Sequence, residues 1–294
     1  MSSKVAVVTG SNKGIGLSIV KGLCKRFTGI VYLTSRDIER GNNAIEDLRK
    51  QGLFPRYHQL DVTDRESVLK FKNYLQSKYG GIDILVNNAG VAVSEAYPNF
   101  EENQMIIDTN YKSILTIQEL IFPLIRDNGR ILNISSDCGH LSNIKNKYWI
   151  DRLSSRSLNM EDIQEFIDWF LKACESNTFR RDDIADDGSF AAYRVAKVAL
   201  SAATILQQKE LQTRNISVNS MHPGLVRTDM SRHIGFLSAD EAAVTPLHLV
   251  LDAPDSLKGA YVWFDGKLID WYNYNSDCYF KRSSYLQLLA EAGL

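Results

Sequence analysis

The sequence predicts a doubly wound α/β protein, a parallel sheet of about seven strands with helices on both faces. Three observations predict it. The four apolar residues at 5–8 run without alternation, which is typical of a strand buried on both faces. A glycine-rich turn follows at 10–16, and a helical pattern begins directly after it. Strand and helix patterns then alternate along the chain, and this favours right-handed crossovers between parallel strands.

Each predicted strand is a short run of β-forming residues bounded by polar residues or glycine. The strands fall at 5–8, 29–34, 57–60, 82–87, 130–135, 216–221 and 259–264. Helices are predicted at 40–51, from a capping-box-like sequence at 63–66 to Tyr79, at 109–125 and at 190–211. No repeat or linker divides the chain, so residues 1–294 are predicted to form one domain.

One long stretch, 137–190, interrupts this alternation where a short loop would suffice. Within it, apolar residues recur at the spacing of an amphipathic helix: Ile163, Phe166, Ile167, Phe170, Leu171 and Cys174. Two interpretations stay open, a surface insertion or a lid beside the site at the strand ends.

Composition excludes several classes of function. The 34 Lys and Arg nearly balance the 35 Asp and Glu, which argues against nucleic acid as a partner. The four cysteines form no Cys-x-x-Cys pair and the five histidines show no ligand spacing, so we predict reduced thiols and no metal. No apolar run is long enough for a membrane span, and the first strand leaves no room for a signal peptide. We therefore expect a cytoplasmic protein with no membrane partner.

The glycine turn, Gly10, Gly14 and Gly16, predicts a dinucleotide site. Glycine lets the backbone approach phosphate oxygens, and the start of the following helix offers free N–H groups to negative charge. Arg36 follows the second strand where a ribose contact is expected, and Lys13 adds a second positive charge. We therefore predict NADP(H) rather than NAD(H), the alternative being that Arg36 and Asp37 form a solvated pair.

A second group of residues predicts proton transfer. Tyr193 and Lys197 are four residues apart and share one face of a helix. An ammonium group nearby is expected to lower the pKa of the phenol, which favours its use as a general acid or base. Ser136 ends the fifth strand and could hold a substrate oxygen, and Asn110 could hold a water molecule. Tyr74 and Lys78 share the spacing without a strand-end serine, so we interpret them as a surface pair.

Taken in order, these motifs resemble the short-chain dehydrogenase/reductase family over about residues 4–275. The matching motifs are Thr9-Gly10, Gly14-Ile15-Gly16, Asn87-Asn88-Ala89-Gly90, Asn110, Ser136, Tyr193 with Lys197, and Pro223-Gly224. The stretches 12–17, 33–37, 58–62 and 226–230 and the insertion are similar to monomeric NADPH-dependent carbonyl reductases. The resemblance implies a Rossmann-type fold and a monomer, because in those reductases the insertion packs over the surface that relatives use to pair.

The resemblance also implies a role for each matching residue. Tyr193 would protonate a carbonyl oxygen, Ser136 would hydrogen-bond that oxygen, Lys197 would bind the nicotinamide ribose and Asn110 would support a proton relay. The implied cofactor-binding residues are Gly10, Asn12, Lys13, Gly14, Ile15, Gly16, Arg36, Asp61, Val62, Asn88, Ala89, Gly90, Tyr193, Lys197, Pro223, Gly224, Val226 and Thr228.

The expected activity is NADPH-dependent reduction of aldehydes, ketones and quinones in a broad apolar pocket lined by Cys138, His140 and Leu225. Two alternatives stay open: a narrower enzyme for a steroid, prostaglandin or pterin carbonyl, and a non-catalytic NADP-binding protein. Leu225, His222 and Arg194 depart from the family pattern and leave the substrate range undecided. The tail, 276–294, extends past the usual end of the family.

Overall fold

The computed structural model describes residues 3–275 except 94, 96, 186 and 187, so the predicted tail at 276–294 lies outside the described residues. The described residues contain one sheet with the strand order β3-β2-β1-β4-β5-β6-β7-β8. Its strands are β1 (Val5–Val8), β2 (Ile30–Ser35), β3 (Arg56–Gln59), β4 (Ile82–Asn87), β5 (Ile125–Ile134), β6 (Ser217–Met221), β7 (Tyr261–Val262) and β8 (Leu268–Ile269).

The first seven strands are parallel, which confirms the doubly wound fold. The count of about seven is too low by one, because β8 pairs antiparallel with β7. The strand predicted at 259–264 covers only two paired residues. The chain turns directly after it, where Trp263 N–H donates to the Lys267 carbonyl and Gly266 has a positive φ of 83°.

Ten α-helices flank the described sheet. They are α1 (Gly14–Arg26), α2 (Ile38–Lys50), α3 (Arg65–Tyr79), α4 (Phe100–Ile107), α5 (Ser113–Leu120), α6 (Lys147–Leu153), α7 (Met160–Glu175), α8 (Ala191–Leu211), α9 (Ala239–Ala242) and α10 (Val244–Leu251). A π-helical turn, Asp108–Lys112, joins α4 to α5.

Helix starts differ from the prediction where an acidic or amide side chain caps the helix. Asp64, not Thr63, caps α3 by accepting from Glu66 N–H. Asp37 caps α2, which begins two residues before the predicted start. The helix predicted at 109–125 begins instead at Phe100, where Asn99 and Glu102 form a capping box. Its continuation, α5, ends before Pro123, and Ile125 already belongs to β5 rather than to the helix.

Both faces of the sheet are buried, as the first strand predicts. Val5 and Val7 pack with the residues of α3 and α5 on one face. Ala6 and Val8 pack with α1, α2 and α10 on the other face. A third cluster joins α4, α7 and α8 with the aromatic residues of the insertion. The carboxyl ends of the parallel strands therefore meet at one edge of a rigid layer.

The amphipathic helix predicted inside the insertion is confirmed as α7. Its apolar face, which includes Ile163, Phe166 and Phe170, is fully buried against α4 and α8. Trp149 of α6 lies against Phe166 with ring centres 5.3 Å apart. The insertion is therefore integrated into the core of the protein.

We expect Phe166→Ala to lower the free energy of unfolding by about 3–5 kcal/mol, because it removes a buried ring and leaves a cavity. Phe54→Ala is the matched control, since Phe54 is 77% exposed and its loss should cost less than about 0.5 kcal/mol. Urea denaturation measures both. Similar losses for the two variants would show that α7 is not part of the cooperative core.

Candidate active site

A cleft of about 640 Å³ lies where the parallel strands end. The loops after β1 through β6 all contribute to its wall. Most of the predicted site residues line it: Gly10, Asn12, Lys13, Gly14, Ile15, Gly16, Arg36, Asp61, Val62, Asn88, Ala89, Gly90, Asn110, Tyr193, Lys197, Pro223 and Thr228. Ser136, Gly224 and Val226 are not among the residues that line it.

The glycine turn lines the cleft, and its backbone packs closely against the loop after β4. Gly10 has a φ of 58°, and a Cβ there would lie 2.7 Å from the Ala89 Cα. A Cβ on Gly16 would lie 2.4 Å from Asn88 Nδ2. Asn88 Nδ2 itself donates to the carbonyls of Thr9 and Gly10. Side chains at these two glycines would clash with the loop after β4, so glycine lets the turn pack against it, and the start of α1 beside the cleft suits the pyrophosphate of a dinucleotide.

Three cationic side chains line the adenosine end of the cleft. Arg36 and Lys13 are there as predicted, but Lys13 Nζ is paired with Asp229 Oδ2 at 2.6 Å. Arg40 is a further cation that the sequence reasoning missed. It lies in the first turn of α2, whose capped start just after Arg36 brings this side chain to the same cleft. The alternative to a phosphate contact was a solvated pair of Arg36 with Asp37. In the structure Asp37 instead caps α2 by accepting from Arg40 N–H.

Asn110 lies in the π-helical turn, a feature often found at functional sites. Its Oδ1 accepts from Val91 N–H at 3.0 Å, and its Nδ2 donates to the Val91 carbonyl at 2.8 Å. A Cβ on Gly90 would lie 2.7 Å from Asn110 Oδ1, so only glycine leaves room for this contact. Asn110 therefore fixes the loop after β4 beside the cleft.

Tyr193 and Lys197 face the cleft together from the first turns of α8. The Lys197 side chain is buried, its Nζ donates to the Ile134 carbonyl at 2.8 Å, and it lies 5.6 Å from the centre of the Tyr193 ring. The predicted pairing of the two groups at the cleft is therefore present in the structure.

The expected lowering of the phenol pKa is wrong for this structure. Burial raises the pKa of Tyr193 well above its usual value, and Cys138 and Asp137 add to the increase, whereas the neighbouring Ser136 hydroxyl opposes it. The Lys197 Nζ donates to the Ile134 carbonyl and not to the phenol. Burial also lowers the pKa of Lys197 to about 8.

Ser136 is 8% exposed and is held by the loop after β5. Its Oγ donates to Asp137 Oδ1 at 2.9 Å and accepts from Cys138 N–H at 3.2 Å. The Asp137 N–H in turn donates to His222 Nδ1 at 2.8 Å. The Ser136 hydroxyl is also close enough to Tyr193 to influence the pKa of its phenol, so the two hydroxyl groups are neighbours.

None of the three residues predicted to form the substrate wall lines the cleft. His140 is fully buried, where it contacts Ser142 and the Asp270 carbonyl, and the cleft lining contains neither Cys138 nor Leu225. The residues that line the cleft and that the prediction missed include Val91, Ala92, Ser135, Met230 and His233. Val91 and Ala92 directly follow the 87–90 motif, which is the signal that could have identified them.

Among the residues that the structure describes, no group of three or more His, Cys, Asp or Glu could hold a metal ion. Within the same residues, no helix has the length and apolar character needed to cross a membrane. Cys24, Cys138 and Cys174 are free thiols.

Comparison with known proteins identifies related chains. A family model described as short chain dehydrogenase matches residues 4–148. The chain is 34% identical to carbonyl reductase [NADPH] 3 of Mus musculus over 262 residues, covering 86% of this chain and 93% of the relative. It is 34% identical to carbonyl reductase [NADPH] 1 of Homo sapiens over 260 residues, covering 86% and 92%.

Two solved structures share the architecture. Salutaridine reductase from Papaver somniferum aligns with a TM-score of 0.80 at 29% identity, covering 88% of this chain and 99% of that one. The NADPH-bound carbonyl reductase from chicken fatty liver aligns with a TM-score of 0.68 at 22% identity, covering 92% and 100%, and shows the fold alone.

Proposed function

The chain belongs to the short-chain dehydrogenase/reductase family, and from that membership we propose that it is an NADPH-dependent carbonyl reductase. It reduces aldehydes, ketones and quinones to alcohols. The observation that carries the proposal is the meeting of Tyr193, Lys197 and Asn110 in the cleft that also contains the glycine turn. Relatives at 34% identity that are named carbonyl reductases [NADPH] support the reaction and the cofactor.

Bound NADPH supplies the hydride for the carbonyl carbon. The Tyr193 phenol holds the proton for the carbonyl oxygen; a tyrosine is already protonated at neutral pH, and burial raises the pKa of this phenol further. Ser136 lies next to that phenol and orients the same oxygen. Lys197 and Asn110 border the cleft beside Gly90, where Lys197 holds the nicotinamide ribose and Asn110 supports a proton relay.

The position of each residue at the cleft assigns it to one part of the cofactor. The glycine turn holds the pyrophosphate, while Lys13 and Arg36, joined by Arg40, hold the 2′-phosphate. Asp61 and Val62 flank the adenine, and Asn88, Ala89 and Gly90 border a ribose. Pro223, with Gly224 and Val226 next to it in the chain, completes the nicotinamide end, and Thr228 lies beside Gly14 of the glycine turn.

The predicted monomer rests on the insertion. The apolar face of α7 covers α4 and α8, so this face of the body is occupied by the chain's own residues. A monomer in the cytoplasm remains our proposal, supported by the free thiols among the described residues. Light scattering after gel filtration tests the monomer, and a mass of two chains would contradict it.

NADPH affinity should fall as pH rises above about 8. The lowered pKa means that Lys197 loses its positive charge near pH 8 rather than near 10.5, so the group that holds the ribose is neutralised earlier. If only the ammonium form binds, the Kd rises by up to about tenfold per pH unit above that point. Fluorescence titration at several pH values measures the Kd. A constant Kd from about pH 7 to 10 would contradict this role of Lys197.

A carbonyl panel tests the function. NADPH consumption is followed with quinones, dicarbonyls, aldehydes and ketones, and then with steroid, prostaglandin and pterin carbonyls. Turnover of several reactive carbonyls supports a broad reductase, whereas turnover of one class alone supports the narrower enzyme. Tight NADPH binding without turnover of any carbonyl would contradict the proposed reductase and indicate a non-catalytic NADP-binding protein.

A further inference from the structure

The residue directly after the catalytic tyrosine is an arginine, Arg194, whose side chain is only 2% exposed. We propose that Arg194 and Asn143 are positioning residues, which together hold the segment carrying Tyr193 at a fixed distance from the loop carrying Ser136. This inference rests on the proposed function, because it assigns a role in carbonyl reduction. It also gives the insertion a task beyond covering one face of the protein.

The first contact fixes the segment that leads into α8. Arg194 Nε donates to the Ser189 carbonyl at 2.9 Å. Phe190, the residue before α8, has a φ of 54°, in the left-handed region that residues with a Cβ rarely adopt. Such a backbone persists only where its surroundings hold it in place. The guanidinium group therefore holds the turn from which Tyr193 is presented.

The second contact reaches the other segment. Arg194 Nη1 donates to Asn143 Oδ1. Asn143 is fully buried, and its Nδ2 donates to the Asp137 carbonyl at 3.0 Å and to the His140 carbonyl at 2.9 Å. Asp137 directly follows Ser136 and accepts from the Ser136 hydroxyl. A chain of buried hydrogen bonds thus runs from α8 through Arg194 and Asn143 to the loop of the catalytic serine.

The backbone supports the same connection. The Ala185 N–H donates to the Asn143 carbonyl at 2.7 Å, and the Lys145 N–H donates to the Asp183 carbonyl at 2.8 Å. Ile144 and Ile184 form an isolated antiparallel β-bridge between the same two segments. The two ends of the insertion are therefore joined beside the active site, and Arg194 lies at this junction.

Two variants test the proposal without emptying the site. Asn143→Asp keeps an oxygen acceptor for Arg194 but loses the N–H donor to the serine loop. Arg194→Lys keeps the charge but cannot reproduce the planar fork of donors. We expect either change to lower kcat by about 10- to 100-fold, because small misplacements of reacting groups are costly. The Kd for NADPH should stay within about twofold, since the glycine turn and Lys197 are not touched.

Arg152→Met is the matched control. Arg152 also lies in the insertion and pairs with Asp162 and Glu165, so its loss weakens α6 and α7 without reaching Ser136. Its melting temperature should fall while kcat stays within about twofold. In Arg194→Gly, added guanidinium should restore part of the lost kcat, which a general loss of packing would not allow.

Unchanged kcat in both Asn143→Asp and Arg194→Lys would overturn the proposal, as would an equal loss of kcat in Arg152→Met at a matched melting temperature. If one of the two variants does not fold, hydrogen exchange at residue 194, whose amide donates to the Phe190 carbonyl in the wild type, is measured in the other variant. Faster exchange there supports the connection, and unchanged exchange overturns it. A wild-type protein that turns over no carbonyl overturns the proposed function instead, and the exchange measurement still tests the connection.

Discussion

Tyr193→Phe should lower kcat for carbonyl reduction by about 10³-fold or more, because it removes the only hydrogen that the ring can give to the substrate oxygen. The Kd for NADPH should change by less than about twofold, since the ring itself remains and Lys197 keeps its contact with the Ile134 carbonyl. Single-turnover kinetics with saturating NADPH separates this chemical step from binding.

Tyr74→Phe is the control for that experiment. Tyr74 has the same spacing from Lys78 and accepts a hydrogen bond from its Nζ at 2.8 Å, but the pair lies on α3 and does not line the cleft. Its kcat should equal that of the wild type. A Tyr193→Phe variant that keeps a wild-type rate would exclude the phenol as the proton donor.

Arg36→Asp should weaken NADPH binding by about 100-fold, because an attractive contact with the 2′-phosphate is replaced by repulsion. NADH carries no 2′-phosphate, so its affinity should be unchanged or improved. Titration of both cofactors measures the change in preference.

Arg49→Asp is the matched control for the charge reversal. Arg49 lies in the last turn of α2, is exposed and does not line the cleft, yet the change in net charge is the same. It should leave both affinities within about twofold. A preference for NADH in the wild-type protein, or an equal effect of the two substitutions, would contradict the assigned phosphate site.

The parts of the site that the sequence predicted depend on local structure. About a dozen consecutive residues specify the buried strand β1, the glycine turn after it and the start of α1. The four-residue spacing of Tyr193 and Lys197 likewise places them on one helix face wherever α8 lies.

The parts that the sequence did not predict depend on tertiary structure. The pKa of Tyr193 rises because the folded chain buries the phenol beside Asp137, a neighbour 56 positions earlier in the sequence. The strand β8 has two residues, too few for a recognisable pattern. The early start of α4 did have a local signal, the capping box of Asn99 and Glu102, but the polar residues 101–104 give little apolar periodicity.

The central claim is that the cleft brings a carbonyl substrate to the cofactor and to Tyr193 together. Mass spectrometry of the alcohol formed with each of the two NADPH forms deuterated at C4 tests this most directly. We predict that one form transfers deuterium to the carbinol carbon and that the other transfers none. An alcohol without deuterium from either form, or with deuterium from both, would contradict the account.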